Sequence, residues 1–215
     1  MKVLVIDDHP IVAQGCRRLL EDAGVDEIFV AATLSEGFRL YRQKQPDLII
    51  VDLSMQSGAL GGLSFIRRLR VHDERTAILV LSMHSDRMIV SRALEVGANG
   101  YVLKDTSPEE FSKAFRRVRD GQPYLSHDLA SQIAFMEARG DRNPLSRMTL
   151  RELQTLSLIA EGKPYISIAE ELHVSYKTVV NTCAQLKAKL GVRTLPELMR
   201  IAIQHLPNMP GRSTL

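Results

Sequence analysis

The chain has 215 residues, of which 45% are apolar, 25% charged and 5% aromatic with no Trp, and its formal net charge is +3. This ordinary composition excludes a disordered, collagen-like or low-complexity chain, and the length allows one large domain or two modest ones. Apolar runs such as Leu48 to Val51 and Ile78 to Leu81 fall far short of the ~18 residues of a membrane-spanning helix. The opening Met1-Lys2 leads into Val3-Leu4-Val5-Ile6 and then Asp7-Asp8, too short and too acidic for a signal peptide, so a cytosolic location is expected.

The first 120 residues alternate β-branched runs with amphipathic segments. Predicted strands are Lys2–Ile6, Ile28–Ala31, Leu48–Val51, Ile78–Leu81 and Gly100–Leu103. Predicted helices lie between and after them, at Ile11–Ala23, Ser35–Lys44, Leu63–Arg70, Asp86–Val96 and Pro108–Asp120. Such alternation predicts an α/β fold, a doubly wound five-stranded parallel sheet with helices on both faces. Ser107-Pro108-Glu109-Glu110 offers an N-cap, a Pro at the first helical position and a capping-box Glu.

Gly121-Gln122-Pro123 ends this unit, and Asp141-Arg142-Asn143-Pro144 marks a second break, so residues 121–144 read as a partly helical linker with a helix over Ser126–Arg139. From Met148 the pattern is helical only: Leu150–Glu161, Tyr165–Leu172, Tyr176–Leu190 and Leu195–Leu206, an all-α four-helix unit over 145–208 with a tail at 209–215. Ser175 is a predicted N-cap, Gly191 a C-terminal stop, and Thr194 with Glu197 a capping box. Cys16 and Cys183 fall in apolar helical patterns and read as helix filler, not as a disulfide or a zinc site.

Charge is uneven along these units. Lys and Arg balance Asp and Glu at 17 against 17 over residues 1–120, stand at 2 against 3 over 121–144, and exceed them 9 to 5 over 145–215. A neutral module followed by one that meets a polyanion fits this division.

In an open parallel sheet, chemistry gathers at the carboxyl ends of the strands. There the sequence places Asp7-Asp8, Asp52, Ser82 and Lys104. Taken singly, such residues are usually turn residues or helix caps. Taken together, three carboxylates repel one another, and a hard divalent cation such as Mg²⁺ relieves that through oxygen ligands. A metal-neutralised carboxylate can then attack a phosphoryl group, with Asp52 as acceptor, Lys104 as a point charge on a phosphoryl oxygen and the Ser82 hydroxyl as a donor to another.

Val5-Ile6-Asp7-Asp8-His9-Pro10, Leu48-Ile49-Ile50-Val51-Asp52-Leu53, Val80-Leu81-Ser82, Gly97-Ala98-Asn99-Gly100-Tyr101 and Leu103-Lys104 together resemble the receiver domain of two-component response regulators. The resemblance implies that Asp52 is phosphorylated by a sensor histidine kinase and that Asp7, Asp8 and Asp52 hold Mg²⁺ with the backbone carbonyl of Ser54. It also implies that Ser82 and Tyr101 form a switch, with Tyr101 following Ser82 inward on phosphorylation. Beyond self-phosphorylation and autodephosphorylation, no enzyme activity is implied. One departure stands out: where the family carries a Met-Pro-Gly turn, this chain runs Met55-Gln56-Ser57-Gly58-Ala59-Leu60, with Gln56 in place of Pro and extra loop residues.

In the last third, Met148-Thr149-Leu150-Arg151-Glu152-Leu153, Ile168-Ala169-Glu170-Glu171-Leu172, Val174-Ser175, Thr178-Val179 and Lys187-Ala188-Lys189-Leu190-Gly191-Val192 resemble the LuxR-type helix-turn-helix, so the whole chain resembles a NarL/FixJ-family response regulator. Such a module enters the major groove with its second helix, here Tyr176–Leu190. Lys177, Thr178, Asn181, Gln185, Lys187, Lys189 and Arg193 are the expected DNA contacts, with Asn181 or Gln185 able to read adenine. Where the family presents Ser-Asn-Lys and then a Lys and a His, this chain has Pro164-Tyr165-Ile166, Val180 and Thr182, so DNA affinity is expected to be weakened and redirected.

These features predict a phosphorylation-switched transcription factor that binds promoter DNA, expected to dimerise. Tyr165, Ile166 and Val180 also motivate a second reading, a protein-binding or phosphate-sink output with little DNA affinity. A phosphatase with an Asp nucleophile would want a second Asp two residues beyond Asp52, and position 54 is Ser.

Overall fold

The computed structural model describes residues 1–55, 60–138, 145 and 148–205. Its order is β1 (Lys2–Ile6), α1 (Pro10–Asp22), β2 (Glu27–Ala31), α2 (Leu34–Lys44), β3 (Leu48–Val51), α3 (Gly61–Arg70), β4 (Ala77–Ser82), α4 (Arg87–Glu95), β5 (Gly100–Leu103), α5 (Pro108–Arg119), β6 (Tyr124–Leu125) and α6 (His127–Ala138). The C-terminal helices follow: α7 (Leu150–Ala160), α8 (Tyr165–Glu171), α9 (Tyr176–Leu190) and α10 (Leu195–His205). The altered stretch Gln56 to Ala59 lies outside the described residues.

The strands pair in the order β2-β1-β3-β4-β5-β6, all parallel. The five predicted strands all form, and a two-residue β6 extends the sheet by one. Tyr124 N donates to Asn99 O at 3.1 Å, and β6 adds to β5 within what the sequence presents as linker. Glu110, expected to complete a capping box on Ser107, instead accepts from the Tyr124 hydroxyl, so only the Ser107 half of that box is made, with Glu110 N donating to Ser107 Oγ at 3.3 Å. The reciprocal box appears at Thr149 and Glu152.

Strand residues alternate between two apolar layers, as a period of two demands. Val3, Val5, Ile50, Leu79 and Leu81 pack with Leu20 of α1 and Phe111, Phe115 and Val118 of α5. Leu4, Ile6, Ile49, Val51 and Val80 face the other way, against Leu63, Phe65 and Ile66 of α3 and Ile89 and Val90 of α4. That second layer runs on without interruption into Leu153, Leu156, Ile168, Val179, Cys183, Leu186 and Leu198 of the C-terminal helices. Both cysteines are buried helix residues, as the sequence predicts.

The sheet reverses direction of growth at β1 and β3, which makes the crevice at their carboxyl ends the natural site of chemistry. Register brings the ends level: Ile6 pairs with Val51, Val51 with Val80, and Val80 with Tyr101. One glycine is required beside this edge. A Cβ at Gly62 would lie 2.4 Å from Asp52 O and 2.7 Å from Leu53 Cα. Gly62→Ala is therefore expected to destabilise the chain by about 1–3 kcal/mol despite alanine's better helix propensity, because the overlap is with backbone that cannot rotate away. Urea melts of the two forms check this.

Candidate phosphoacceptor pocket and nucleic-acid interface

All five predicted strand-end residues meet at one edge of the sheet. Asp52 N donates to Ile6 O at 2.9 Å and Asp7 N to Ala31 O at 3.1 Å, so neighbouring backbones fix both carboxylates. The Lys104 ammonium lies between them, Nζ 2.7 Å from Asp52 Oδ2 and 2.8 Å from Asp7 Oδ2. Asp52 Oδ1 accepts from Ser54 N at 3.1 Å. The Asp52 side chain is only 2% exposed. Burial, opposed by Lys104, pushes its carboxyl up to about 6. Lys104 is also desolvated, but its two carboxylate partners prevail and hold its ammonium above the usual lysine range.

Asp8 completes the acidic set, and its neighbour His9 joins it, with Nδ1 at 3.0 Å from Asp8 Oδ1 and 3.2 Å from Asp7 Oδ1. Ligand atoms from Asp7, Asp8, His9 and Asp52 all lie within 4.8 Å of one another. Three carboxylates against one ammonium leave the pocket with an excess of negative charge. Their oxygens are the donor set a hard divalent cation takes.

Ser82 is fully buried at the end of β4, and its Oγ accepts from His84 N at 3.3 Å. Tyr101 lies beyond it on β5. It is wholly buried, with its hydroxyl donating to His84 O at 2.7 Å. Burial pushes that phenol far above its usual range. The imidazole of His84 reaches back across the pocket to Ser54, Nε2 and Oγ lying 2.5 Å apart. His84 thus links the loop after Asp52 to Ser82 and Tyr101, and with His9 it is a residue of this pocket to which sequence reasoning assigned no role. The available signal was position: His84 is two residues beyond Ser82 and His9 directly follows Asp8, so both leave strands at the functional edge.

In the C-terminal unit, Ser175 caps α9 by accepting from Thr178 N at 3.1 Å, and Gly191 ends it in the left-handed region at φ 67°. Lys177, Thr178, Asn181 and Gln185 are exposed, and 177, 181 and 185 recur at four-residue spacing along one side of the helix. Thr182 is turned inward, its hydroxyl donating to Thr178 O at 2.9 Å, so it is not on that side. Lys189 is engaged elsewhere, with Nζ 2.8 Å from Glu152 Oε2. Lys187 is half-buried and Arg193 exposed in the turn before α10.

The apolar departures form a real surface. Ile166 and Tyr176 are 62% and 54% exposed and, with Tyr165, Leu195 and Met199, line a groove of about 390 Å³. The Tyr165 and Tyr176 rings lie 6.3 Å apart. Lys163, at the groove's edge, is held by Glu161 at 3.1 Å and Glu171 at 2.5 Å.

Residues 3–116 match the family described as the response regulator receiver domain, and residues 146–202 match the bacterial regulatory proteins of the luxR family. The chain is a response regulator. Among its relatives, the methanol utilization control regulatory protein MoxX of Paracoccus denitrificans is 40% identical, over 95% of this chain and 92% of that protein. The response regulator UvrY of Escherichia coli K12 is 31% identical, over 95% and 94%. Among solved structures, the Salmonella typhimurium response regulator RcsB superposes with a TM-score of 0.74 at 26% identity, covering 96% of this chain and 98% of that one. RcsB bound to the promoter P1flhDC with the phosphomimetic BeF3⁻ gives 0.72 at 27% identity, covering 95% and 98%. The regulator thus joins a receiver to a LuxR-type DNA-binding domain, like these transcription regulators. No helix among the described residues is long and apolar enough to cross a membrane.

Proposed function

We propose that this response regulator is phosphorylated on Asp52 by a sensor histidine kinase in the cytoplasm and then regulates transcription by binding promoter DNA as a homodimer. The observation that carries the first half is the pairing of a buried Asp52 with Lys104 in an acidic pocket at the strand ends. An Asp52 carboxylate oxygen attacks the phosphorus of the phosphohistidine, the P–N bond breaks, and the imidazole leaves with the bonding pair. Asp7, Asp8, Asp52 and the Ser54 carbonyl are the residues that would hold Mg²⁺, which when bound neutralises charge on the phosphoryl oxygens. Lys104 offers its ammonium to one phosphoryl oxygen and Ser82 its hydroxyl to another. Ser82, lying beside the Tyr101 hydroxyl, passes that change to the switch.

For the output, Lys177, Lys187 and Arg193 supply phosphate contacts, with Lys189 joining them if it leaves Glu152. Thr178, Asn181 and Gln185 face the bases. Three cations per module, counted twice in the homodimer, predict that the logarithm of promoter affinity falls against the logarithm of salt concentration with a slope of about −5, and that Lys177→Ala flattens the slope by about 2. Anisotropy with labelled promoter fragments, and footprints with and without a phosphoryl donor, test this. The groove at Ile166 and Tyr176 favours a second reading, an output that meets protein; flat, salt-independent anisotropy without a footprint would choose it.

A further inference from the structure

The DNA-binding module has two sides, and the receiver covers the one that does not read DNA. Helix α7 is buried from Leu150 to Ile159 except at Arg151. Part of that burial comes from α9 and α10, which pack on it within the module. Helix α8 also packs on it, and the receiver covers part of what is left. Gln154 Nε2 donates to Ser64 Oγ at 3.1 Å and to Leu60 O at 3.4 Å, both at the start of α3. Arg92 of α4 donates from Nη2 to Met148 O, just ahead of α7, at 3.0 Å. Meanwhile Lys177, Thr178, Asn181 and Gln185 on α9 stay exposed.

The receiver end of this contact sits directly on the acceptor. Gly62 N donates to Leu53 O at 3.1 Å, and Gly62 approaches the Asp52 carbonyl too closely to admit a Cβ. Two residues earlier, Leu60 caps α3 at φ 57°, the left-handed region, while its side chain is buried. A leucine is strained there and holds that shape only because its surroundings impose it. Its carbonyl is one of the two acceptors of Gln154. Both acceptors lie within the first turn of α3, so one small rotation of that turn breaks both hydrogen bonds together. A phosphoryl dianion on Asp52 would act on the positive end of α3 and so on this turn.

We propose that Asp52 phosphorylation reaches the DNA-binding module through the first turn of α3 and the Gln154 latch, and that it controls how the module is held rather than whether the recognition helix is accessible. The inference rests on Asp52 being the acceptor. While latched, each module keeps the orientation set by its own receiver. Two half-sites about 34 Å apart require both recognition helices to align at once, so release acts on paired binding. Coupling is reciprocal: whatever phosphorylation does to the latch, breaking the latch does in return to the affinity for a phosphoryl analogue.

The full chain in Mg²⁺, with and without beryllofluoride, provides the test. Amide hydrogen exchange over α7 is expected to quicken about fivefold with beryllofluoride, and Gln154→Ala to show much of that increase without it. Ser64→Ala removes an acceptor from an exposed position that no core depends on, and is expected to act in the same direction. Affinity for a single-site duplex of about 12 base pairs should change by less than about twofold throughout, because one turn of DNA engages one already open recognition helix. Unchanged α7 exchange, or a rise of about tenfold or more in single-site affinity on activation, overturns the inference. Labelling from a phosphoryl donor separates the levels. An unlabelled Asp52 removes the acceptor reading and this inference with it, whereas a labelled Asp52 with α7 unmoved removes this inference alone.

Discussion

Asp52→Asn is expected to abolish transfer of label from a phosphoryl donor in Mg²⁺, a loss of at least about a hundredfold, while leaving the fold as stable as before or more so. The two effects have one cause, the burial of a charge the fold tolerates for its chemistry. Asn keeps the shape of the side chain, and its Oδ1 can still accept from Ser54 N, but a neutral amide is no nucleophile toward phosphorus. Stability moves the other way because burial has raised the Asp52 carboxyl from 3.8 to about 6. A carboxyl whose folded value is raised contributes stability that is full below about 3.8 and lost as pH rises through about 6. Without metal the wild type therefore carries a penalty of about 2–3 kcal/mol at pH 7 that it does not carry at pH 3.8. The Asn variant lacks this term. Urea melts in chelator at pH 7 and pH 5 should show the variant gaining on the wild type at the higher pH and less so at the lower. A variant that labels like wild type would remove Asp52 as the acceptor.

Which parts of this were legible in the sequence depends on the distance over which each is determined. The receiver strands declare themselves through uninterrupted β-branched runs, because a parallel sheet buried on both faces leaves no polar side. Once those strands are placed, parallel register alone carries Asp7, Asp52, Ser82 and Lys104 to one edge, so the pocket follows from the strand ends. β6 does not, since two residues have no period, and their place is set by Asn99 O across a turn. The Ser107 cap was legible, but the diversion of Glu110 to Tyr124 was not, because two partners compete for one carboxylate and only packing decides. Lys189 reads as a phosphate contact until Glu152, 37 positions away, takes it. Gln154 reads as an ordinary helix residue, and its partners at positions 60 and 64 belong to the other domain. Local pattern thus gave the elements and their chemistry, while the contacts that join loops and domains needed the third dimension.

Lys104→Met is expected to weaken the metal-free fold at pH 7 by about 3 kcal/mol and to make its stability depend on Mg²⁺. The lysine side chain is 5% exposed and its ammonium touches two carboxylates that are each 2% exposed. Met fills similar volume, so the apolar stem is replaced and only the charge is lost. Asp52 and Asp7 are then left facing one another in a buried site without the ammonium that lay between them. Two outlets remain for that repulsion. A proton can bind, which raises the folded-state value of Asp52 further, so the variant's stability is full at low pH and is lost as pH rises through that value, at a higher pH than in wild type. A divalent cation can bind instead, and its two charges replace the one removed. Thermal melts of the variant should therefore rise with millimolar Mg²⁺ by more than those of the wild type, and melts in chelator should converge with the wild type on acidification. Label transfer is expected to respond differently, because Mg²⁺ cannot stand where the ammonium would meet the phosphoryl oxygen. Transfer is expected to fall by about a hundredfold even at Mg²⁺ concentrations that restore the melt. Full recovery of transfer together with stability would make Lys104 a counter-charge for folding and remove it from the phosphoryl chemistry.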